Sequence, residues 1–127
     1  MTLVLVVEDN AVNRDVLGRR LTKRGYTVKF AKDGQSGVRR ARELVPDIIL
    51  MDMGLGELDG FQATSLIKSY TETASIPIIA VTASAFDTDR KKAFAAGCDA
   101  FETKPIDLER LLSKMEYHLN SRETDPK

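Results

Sequence analysis

Short apolar runs alternate along the chain with longer segments in which apolar residues recur at helical spacing. The short runs are Leu3–Val7, Thr27–Ala31, Asp47–Met51, Ile76–Val81 and Ala100–Thr103. Such alternation is typical of βαβ units, which build a mostly parallel sheet. The pattern predicts an α/β fold of the flavodoxin-like, doubly wound type. We expect five parallel strands in the order 2-1-3-4-5, with helices on both faces of the sheet.

The segments between the runs predict amphipathic helices. In the first helix, four apolar residues are predicted to share the buried face: Val12, Val16, Leu17 and Leu21. Gly25 is expected to end this helix, because glycine readily adopts the left-handed conformation found there. Asp33 is expected to cap the second helix. The third helix is predicted over Phe61–Tyr70.

The last two helical segments differ in how firmly they can be anchored. Thr88–Ala96 is rich in alanine and has few bulky residues, whereas the segment from Asp107 to Leu119 repeats leucine and methionine on one face. The chain of 127 residues fits one domain, predicted over residues 1–119. A polar C-terminal tail is predicted over residues 120–127.

Composition narrows the classes of partner and location. Lys plus Arg and Asp plus Glu both number 19, so no overall charge favours nucleic acid or an anionic membrane surface. Cys98 is the only cysteine, which excludes an internal disulfide and fits a reducing compartment. The N-terminus lacks the basic region of a signal peptide, and no apolar run is long enough to span a bilayer. These features predict a soluble cytoplasmic protein.

Candidate site residues follow four of the five strand-like runs. Glu8 and Asp9 follow the first run, Asp52 the third, Thr82 the fourth, and Lys104-Pro105 the fifth. Open α/β sheets bind ligands at the carboxyl edge of the strands, where these residues would meet. Each residue alone is more simply a turn or capping residue. Their coincidence on one edge favours a functional site.

The residues expected at this edge suit a divalent cation and a phosphoryl group. Three carboxylates repel one another, and a hard cation such as Mg²⁺ removes that conflict. The ammonium of Lys104 and the hydroxyl of Thr82 can both contact a phosphoryl oxygen. Asp52 lies between the acidic pair and Thr82 in the predicted strand order, which makes it the best candidate nucleophile. Its attack on phosphorus would give an aspartyl phosphate.

These motifs resemble the response-regulator receiver domains (CheY-like) of two-component signalling, over about Leu3 to Leu119. The matching pieces are Val6-Val7-Glu8-Asp9-Asn10, Leu50-Met51-Asp52, Leu58-Asp59-Gly60, Val81-Thr82-Ala83, and Ala96-Gly97-Cys98-Asp99-Ala100-Phe101 through Lys104-Pro105. The Asn13-Arg14 pair and the residues before it resemble receivers of hybrid sensor kinases and of stand-alone cell-cycle-type regulators.

The resemblance implies a role for each matching residue. Asp52 would accept a phosphoryl group from a phosphohistidine on a sensor histidine kinase or a histidine phosphotransfer protein. Asp9 and Asp52 would bind Mg²⁺, and Glu8 would bind it either directly or through a water molecule. The backbone carbonyl of Gly54 would be a further ligand. Lys104 would contact the acyl phosphate, and its peptide bond to Pro105 would be cis.

The resemblance also implies a switch. Thr82 would turn toward the phosphoryl group and Phe101 would follow it inward, although a phenylalanine on a strand is by itself more simply a core residue. Ala83 is small, as expected where a donor must enter. Ser84 and Gly54 occupy positions that tune the lifetime of the phosphate in this family. The surface of the last two helices and the fifth strand would then be read by a downstream protein.

Other functions remain as alternatives. A phosphatase with an aspartyl-phosphate intermediate usually has a second acid two residues after the nucleophile, where this chain has Gly54. A flavin binder would favour a Ser/Thr- or Gly-rich first loop, where this chain is acidic. The chain would therefore be a signalling module that promotes its own phosphorylation and dephosphorylation, without direct DNA binding. A receiver excised from a hybrid kinase, or a degenerate receiver that binds without phosphorylation, stays open.

Several remaining residues favour structural roles. Receivers usually carry proline where this chain has Gly56, and we predict that Gly56→Pro raises stability. His118 is expected to be a helix residue and Cys98 an unreactive turn residue. The first helix carries five basic residues that would form either a solvated face or a kinase-docking face: Arg14, Arg19, Arg20, Lys23 and Arg24.

Overall fold

The predicted alternation of strands and helices is confirmed. The computed structural model describes residues 2–56, 58–84 and 86–124, and side chains are described to residue 121. The strands of this part of the chain are β1 (Leu3–Val7), β2 (Thr27–Ala31), β3 (Ile48–Asp52), β4 (Ile78–Thr82) and β5 (Ala100–Thr103). The helices are α1 (Ala11–Lys23), α2 (Gly34–Leu44), α3 (Gly60–Ser69), α4 (Asp87–Ala96) and α5 (Leu108–Thr124).

The five strands form one parallel sheet in the order β2-β1-β3-β4-β5, as predicted. β3 and β4 each begin and end later along the chain than predicted, so Asp52 and Thr82 are the last residues of their strands rather than the first residues after them. The register sets Asp52 opposite Val81 and Thr82 opposite Thr103. This alignment brings the carboxyl ends of β1, β3, β4 and β5 to one edge.

The sheet separates two hydrophobic layers, and β1 supplies both. Val4 and Val6 pack with residues of α1 and α5, including Leu21, Leu111 and Met115. Leu5 and Val7 pack on the other face with residues of α2, α3 and α4, including Ala41, Ile67 and Ala93. Alternate side chains of a strand point to opposite faces, so a central strand that is covered on both sides must be apolar throughout.

The predicted buried face of α1 is wrong in part. Leu21 is buried and Leu17 is partly buried, but Val12 and Val16 are 70% and 44% exposed. At about 100° of rotation per residue, Val12 and Leu21 lie on opposite sides of a helix, so they cannot share one face. Gly18 is buried instead, and a Cβ there would come within 2.4 Å of the Phe30 ring. The exposed valines leave an apolar strip on the surface of α1.

The helix ends follow the predicted capping residues. Asp33 and Ser36 form a capping box at the start of α2, and the hydrogen bonds from Ser36 lower the pKa of the Asp33 carboxyl. Gly25 follows the end of α1 with φ of 94°. The last helix runs past Leu119 to Thr124, so the first part of the predicted polar tail is helical, and residues 125–127 lie outside the described residues.

α4 is weakly anchored, as its composition predicts. Ala93 is its only buried residue within the described part of the chain, while Phe86 and Phe94 are 73% and 45% exposed. Gly97 ends the helix with φ of 115°. Within the same described part of the chain, we find no helix whose length and apolar character would allow it to cross a membrane.

Candidate functional site

Three acidic residues predicted to meet at the carboxyl edge of the sheet do so. Glu8 follows β1 directly, Asp9 comes next, and Asp52 ends β3. One carboxylate oxygen of each residue lies within 4.8 Å of the other two. Glu8 and Asp52 are buried and Asp9 is exposed. The fold thus holds together three like charges that repel one another, which favours a cation at this position.

Lys104 supplies one positive charge to this acidic cluster. Its Nζ lies 3.0 Å from Glu8 Oε1 and 3.6 Å from Asp52 Oδ2. Burial by itself would lower the pKa of Lys104, but the hydrogen bond to Glu8 and the charges of Asp52 and Glu8 outweigh it and raise that pKa. Lys104 is therefore held in its charged form. Its peptide bond to Pro105 is cis, as predicted.

Backbone groups orient the two buried carboxylates. The Asn10 N–H donates to Glu8 Oε2 at 3.2 Å, and the Gly54 N–H donates to Asp52 Oδ1 at 3.0 Å. Arg14 reaches back from α1 and donates from Nη1 to the Glu8 carbonyl at 2.8 Å. The sequence predicts Arg14 on a basic helix face and in the Asn13-Arg14 pair of the family resemblance, but assigns it no role at the site. That pair was the signal that could have found this contact.

Thr82 ends β4 beside the cluster, and its side chain is turned toward the following loop. The residue is 9% exposed, and Oγ1 accepts a hydrogen bond from the Ser84 N–H at 3.1 Å. The Thr82 carbonyl accepts from the Lys104 N–H at 2.7 Å, which joins the ends of β4 and β5. Ala83 is exposed.

Phe101 lies on β5 with its ring already inside the protein. It is 6% exposed and packs with the hydrophobic layer beneath α3 and α4. The guanidinium carbon of Arg90 lies 5.2 Å from the centre of the ring. The next residue, Glu102, faces the opposite side of the sheet, where it pairs with Arg110 and Lys114 of α5.

The donor set at the edge fits Mg²⁺. Mg²⁺ is a hard cation that prefers oxygen ligands and commonly takes one or two carboxylates, with water or phosphate oxygens completing the shell. Glu8, Asp9 and Asp52 offer carboxylate oxygens within 4.8 Å of one another. Asp9 is exposed and leaves one side of the cluster open to solvent. A phosphate oxygen can approach from that side.

This arrangement agrees with the comparison to known families. Residues 4–116 match the response regulator receiver domain. The chain belongs to this family. Receiver domains are signalling modules of two-component systems, and relatives of this chain act in phosphorelays.

Receiver domains similar to this chain occur both alone and within larger kinases. The polar-differentiation response regulator DivK of Brucella anthropi is 35% identical over 116 residues, covering 91% of this chain and 94% of DivK. The hybrid signal transduction histidine kinase G of Dictyostelium discoideum is 39% identical over 111 residues. That match covers 85% of this chain but 3% of the kinase, so the likeness concerns its receiver segment alone.

Two solved receiver domains share the fold closely. One is from the sensor histidine kinase PA1611 of Pseudomonas aeruginosa PAO1, with a TM-score of 0.88, 37% identity and coverage of 94% and 98% of the two chains. That structure has a magnesium ion coordinated in its active site cleft. The other is the receiver domain of Ssk1 of Saccharomyces cerevisiae in complex with the histidine phosphotransfer protein Ypd1. Its TM-score is 0.88, with 32% identity and coverage of 95% and 90%.

Cys98 and His118, for which the sequence predicted structural roles, pack against neighbouring side chains. Cys98 is buried, its Sγ lies 3.7 Å from Thr64 Oγ1, and burial raises the pKa of its thiol to about 11. A thiol with this pKa is a poor nucleophile at neutral pH. His118 lies near the end of α5, where its ring meets Tyr117 edge-on at 5.0 Å.

Proposed function

We propose that this receiver domain is a phosphorylation switch in which Asp52 accepts a phosphoryl group from a phosphohistidine on a partner protein. The observation that carries the proposal is the convergence of Glu8, Asp9 and Lys104 on the Asp52 carboxylate at one sheet edge. Mutual repulsion of three acids does not stabilise the fold, so a ligand must account for it.

The chemical step transfers the phosphoryl group between two proteins. An oxygen of Asp52 forms a bond to phosphorus as the bond from phosphorus to the histidine nitrogen breaks. The electron pair of that bond returns to the imidazole, and the product is an aspartyl phosphate. Positioning and charge neutralisation dominate catalysis of this step. The Gly54 N–H, 3.0 Å from Asp52 Oδ1, orients the carboxylate so that its other oxygen, Oδ2, is the attacking atom.

We propose that Glu8, Asp9 and Asp52 hold Mg²⁺, with the backbone carbonyl of Gly54 as a further ligand. When bound, the ion offsets the charge of the carboxylates and of the incoming phosphoryl oxygens. The Arg14 contact to the Glu8 carbonyl and the Asn10 contact to its side chain hold Glu8 in place for this role.

Lys104 and Thr82 stabilise the phosphoryl group once it is on Asp52. Lys104 Nζ, at 3.6 Å from Asp52 Oδ2, can reach an oxygen of a phosphoryl group whose phosphorus is bonded to Oδ2. Thr82 can donate its hydroxyl to another oxygen after it turns away from the Ser84 N–H. The phosphorylated form then differs from the free form at Thr82 and in the packing around Phe101, whose ring is already buried in the free form. The surface of α4, β5 and α5 presents that difference to a downstream protein.

A groove beside the acidic cluster fits the phosphodonor. It runs between α1 and the start of α5, and it is lined by Glu8 and Lys104 at one end and by Val16, Leu17, Ile106 and Leu108 along its walls. Apolar surface that leads directly to the charged site suits a helix that presents its phosphohistidine to Asp52. The basic residues of α1 at its edge, such as Arg20, suit an acidic partner surface.

The test is the intact mass of the protein after incubation with a small phosphodonor such as acetyl phosphate, with and without Mg²⁺. Wild type is compared with Asp52→Asn and with Asp15→Asn. Asp15 is an exposed aspartate of α1 that pairs with Arg19, so it controls for the loss of a carboxylate elsewhere. We expect one added phosphoryl group on wild type and on Asp15→Asn, dependent on Mg²⁺ and absent from Asp52→Asn.

The absence of an adduct on wild type, while a control receiver is labelled by the same donor, would overturn the proposal. The chain would then be a degenerate receiver that binds its partners without phosphorylation. An adduct that persists on Asp52→Asn would place the acceptor at another residue. Release of free phosphate from unrelated phosphoesters would instead support an enzyme.

A further inference from the structure

α4 is held to the protein by polar and cationic contacts rather than by apolar packing. It buries only Ala93 among its described residues, and its N-cap residue, Phe86, makes no side-chain capping hydrogen bond. An element with so little buried apolar surface moves at a low free-energy cost. The few contacts that hold it therefore decide where it rests.

One of these contacts leads from α4 to Thr82. Ser84 Oγ donates to Asp89 Oδ2 in the first turn of α4, and the Ser84 N–H donates to Thr82 Oγ1 at 3.1 Å. Asp89 therefore fixes Ser84, and Ser84 fixes the Thr82 side chain in its turned-away position. A hydrogen bond to a charged acceptor is stronger than one between neutral groups. The Ser84–Asp89 bond is thus the strong member of this chain of contacts.

The next residue of α4 reaches the other proposed switch residue. The guanidinium of Arg90 lies 5.2 Å from the centre of the Phe101 ring, within the range of a cation–π interaction. Lys92, further along the helix, makes a similar contact at 4.4 Å with Phe61 of α3. Two consecutive residues of this weakly packed helix thus reach the two proposed switch residues. Asp89 is linked to Thr82 through Ser84, and Arg90 contacts Phe101.

We propose that Asp89 is a positioning residue for the phosphoryl site and that, with Arg90, it couples the position of α4 to the state of Asp52. In the unphosphorylated protein, the Asp89–Ser84 contact keeps the Thr82 hydroxyl away from Asp52. When Thr82 turns to a phosphoryl oxygen, the Ser84 N–H loses its acceptor and the start of α4 loses its tie to β4. The inference rests on the proposed function, because it requires a phosphoryl group on Asp52.

Linkage between the two events makes the proposal measurable. If the Asp89–Ser84 contact stabilises the form that cannot bind the phosphoryl group, removing the contact makes the form that can bind it more populated. The affinity for the phosphoryl group then rises by the factor by which that population increases. Beryllofluoride with Mg²⁺ is a suitable probe, because it mimics a phosphoryl group on an aspartate and does not hydrolyse. Its equilibrium binding is therefore independent of phosphate lifetime.

The experiment compares beryllofluoride affinity, by titration with amide NMR spectra, across wild type, Asp89→Ala and Asp87→Ala. Asp87 lies in the same first turn of α4 and is exposed, so its removal changes the charge at the helix start to a similar extent. We expect Asp89→Ala to bind about fivefold more tightly or better, and Asp87→Ala to bind like wild type. Ser84→Ala should match Asp89→Ala, and Ser84→Thr, which keeps the hydroxyl, should restore wild-type affinity.

A second measurement separates coupling from general loss of stability. Amides in the first turn of α4 should exchange faster in Asp89→Ala than in Asp87→Ala without ligand, while the thermal midpoints of the two variants stay alike. For the Arg90 contact, Arg90→Gln should also tighten binding, with Lys91→Gln, an exposed neighbour, as the control.

Unchanged affinity in both Asp89→Ala and Ser84→Ala, with normal binding by wild type, would overturn this inference and leave the proposed function intact. An equal gain in beryllofluoride affinity in Asp87→Ala would also overturn this inference, because the effect would then come from the charge at the start of α4 and not from the Asp89–Ser84 contact. If wild type itself binds no beryllofluoride, the proposed function fails, and this inference fails with it.

Discussion

Replacing Lys104 with methionine tests whether this ammonium holds the acidic cluster together before a metal ion binds. Methionine keeps an unbranched side chain of similar length but removes the charge. Glu8, Asp9 and Asp52 would then lie within 4.8 Å of one another without the contacts that Lys104 makes at 3.0 and 3.6 Å. We expect the free energy of unfolding to fall in metal-free buffer.

The size of the loss follows from distance and exposure. At an effective dielectric of about 20, each of the two contacts is worth roughly 5 kcal/mol before desolvation is counted. Breaking a buried ion pair typically costs about 3–5 kcal/mol, and an exposed pair contributes about 0–1 kcal/mol. The Lys104 side chain is 27% exposed and its partners are 9% exposed, which places the expected loss at about 2 kcal/mol.

The assay is urea unfolding of wild type, Lys104→Met and Lys91→Met, each in EDTA and in saturating Mg²⁺. Lys91 is an exposed lysine of α4 and controls for the loss of a surface charge. Lys104 and Mg²⁺ neutralise the same carboxylates, so removing one should strengthen binding of the other. A ligand at one hundred times its dissociation constant stabilises by about 2.7 kcal/mol. We expect the stabilisation by Mg²⁺ to be larger for Lys104→Met than for the other two proteins.

Two results would refute this reasoning. If Lys104→Met is as stable as wild type in EDTA, the lysine does not offset the repulsion among the carboxylates. If Mg²⁺ stabilises the variant and wild type equally, the ion does not bind at the carboxylates that Lys104 contacts.

Three further predictions concern stability and reactivity. Replacing both Arg110 and Lys114 with glutamine should destabilise the protein by about 2–3 kcal/mol in urea unfolding, because Glu102, whose side chain is 1% exposed, would keep a buried charge without its partners. The loss is smaller than the roughly 3–5 kcal/mol for a fully buried pair, because Arg110 and Lys114 are 55% and 34% exposed. Adding Glu102→Gln to that variant should recover much of the loss, and no recovery would contradict the argument. Gly56→Pro should raise the free energy of unfolding by about 0.4–1 kcal/mol, because proline lowers the conformational entropy of the unfolded chain and a Cβ at this position meets nothing within 4 Å. A lower thermal midpoint would show that the loop needs a backbone conformation that proline cannot adopt. Burial raises the pKa of the Cys98 thiol from 9.0 to about 11, which lowers the fraction of reactive thiolate at pH 8. Iodoacetamide should therefore alkylate the native protein roughly a hundredfold more slowly than the urea-unfolded protein at that pH. Similar rates would argue against a buried thiol.

The pattern of residues along the chain determined the architecture and most of the site. Strand-like runs ending in Glu8, Asp52, Thr82 and Lys104 were enough to predict the strand order and the edge at which these residues meet. This succeeds because successive parallel strands end at the same edge of a sheet, so position along the chain translates directly into position in space. The chemistry of the strand ends also suggested Asp52 as nucleophile and Lys104 and Thr82 as contacts to a phosphoryl group, whereas the roles proposed for Gly54 and Phe101 came from the family resemblance.

The tertiary structure decided how the helices use their side chains. Periodicity placed Val12 and Val16 in the core, but α1 packs on the side of Gly18 and Leu21 and leaves both valines on the surface. Nothing in the local sequence links Arg90 to Phe101. A helix with several apolar or charged residues can pack in more than one rotation, and only contacts with distant parts of the chain select one of them. Strand ends are determined locally, whereas the contact between Arg90 of α4 and Phe101 of β5 exists only once the fold is complete.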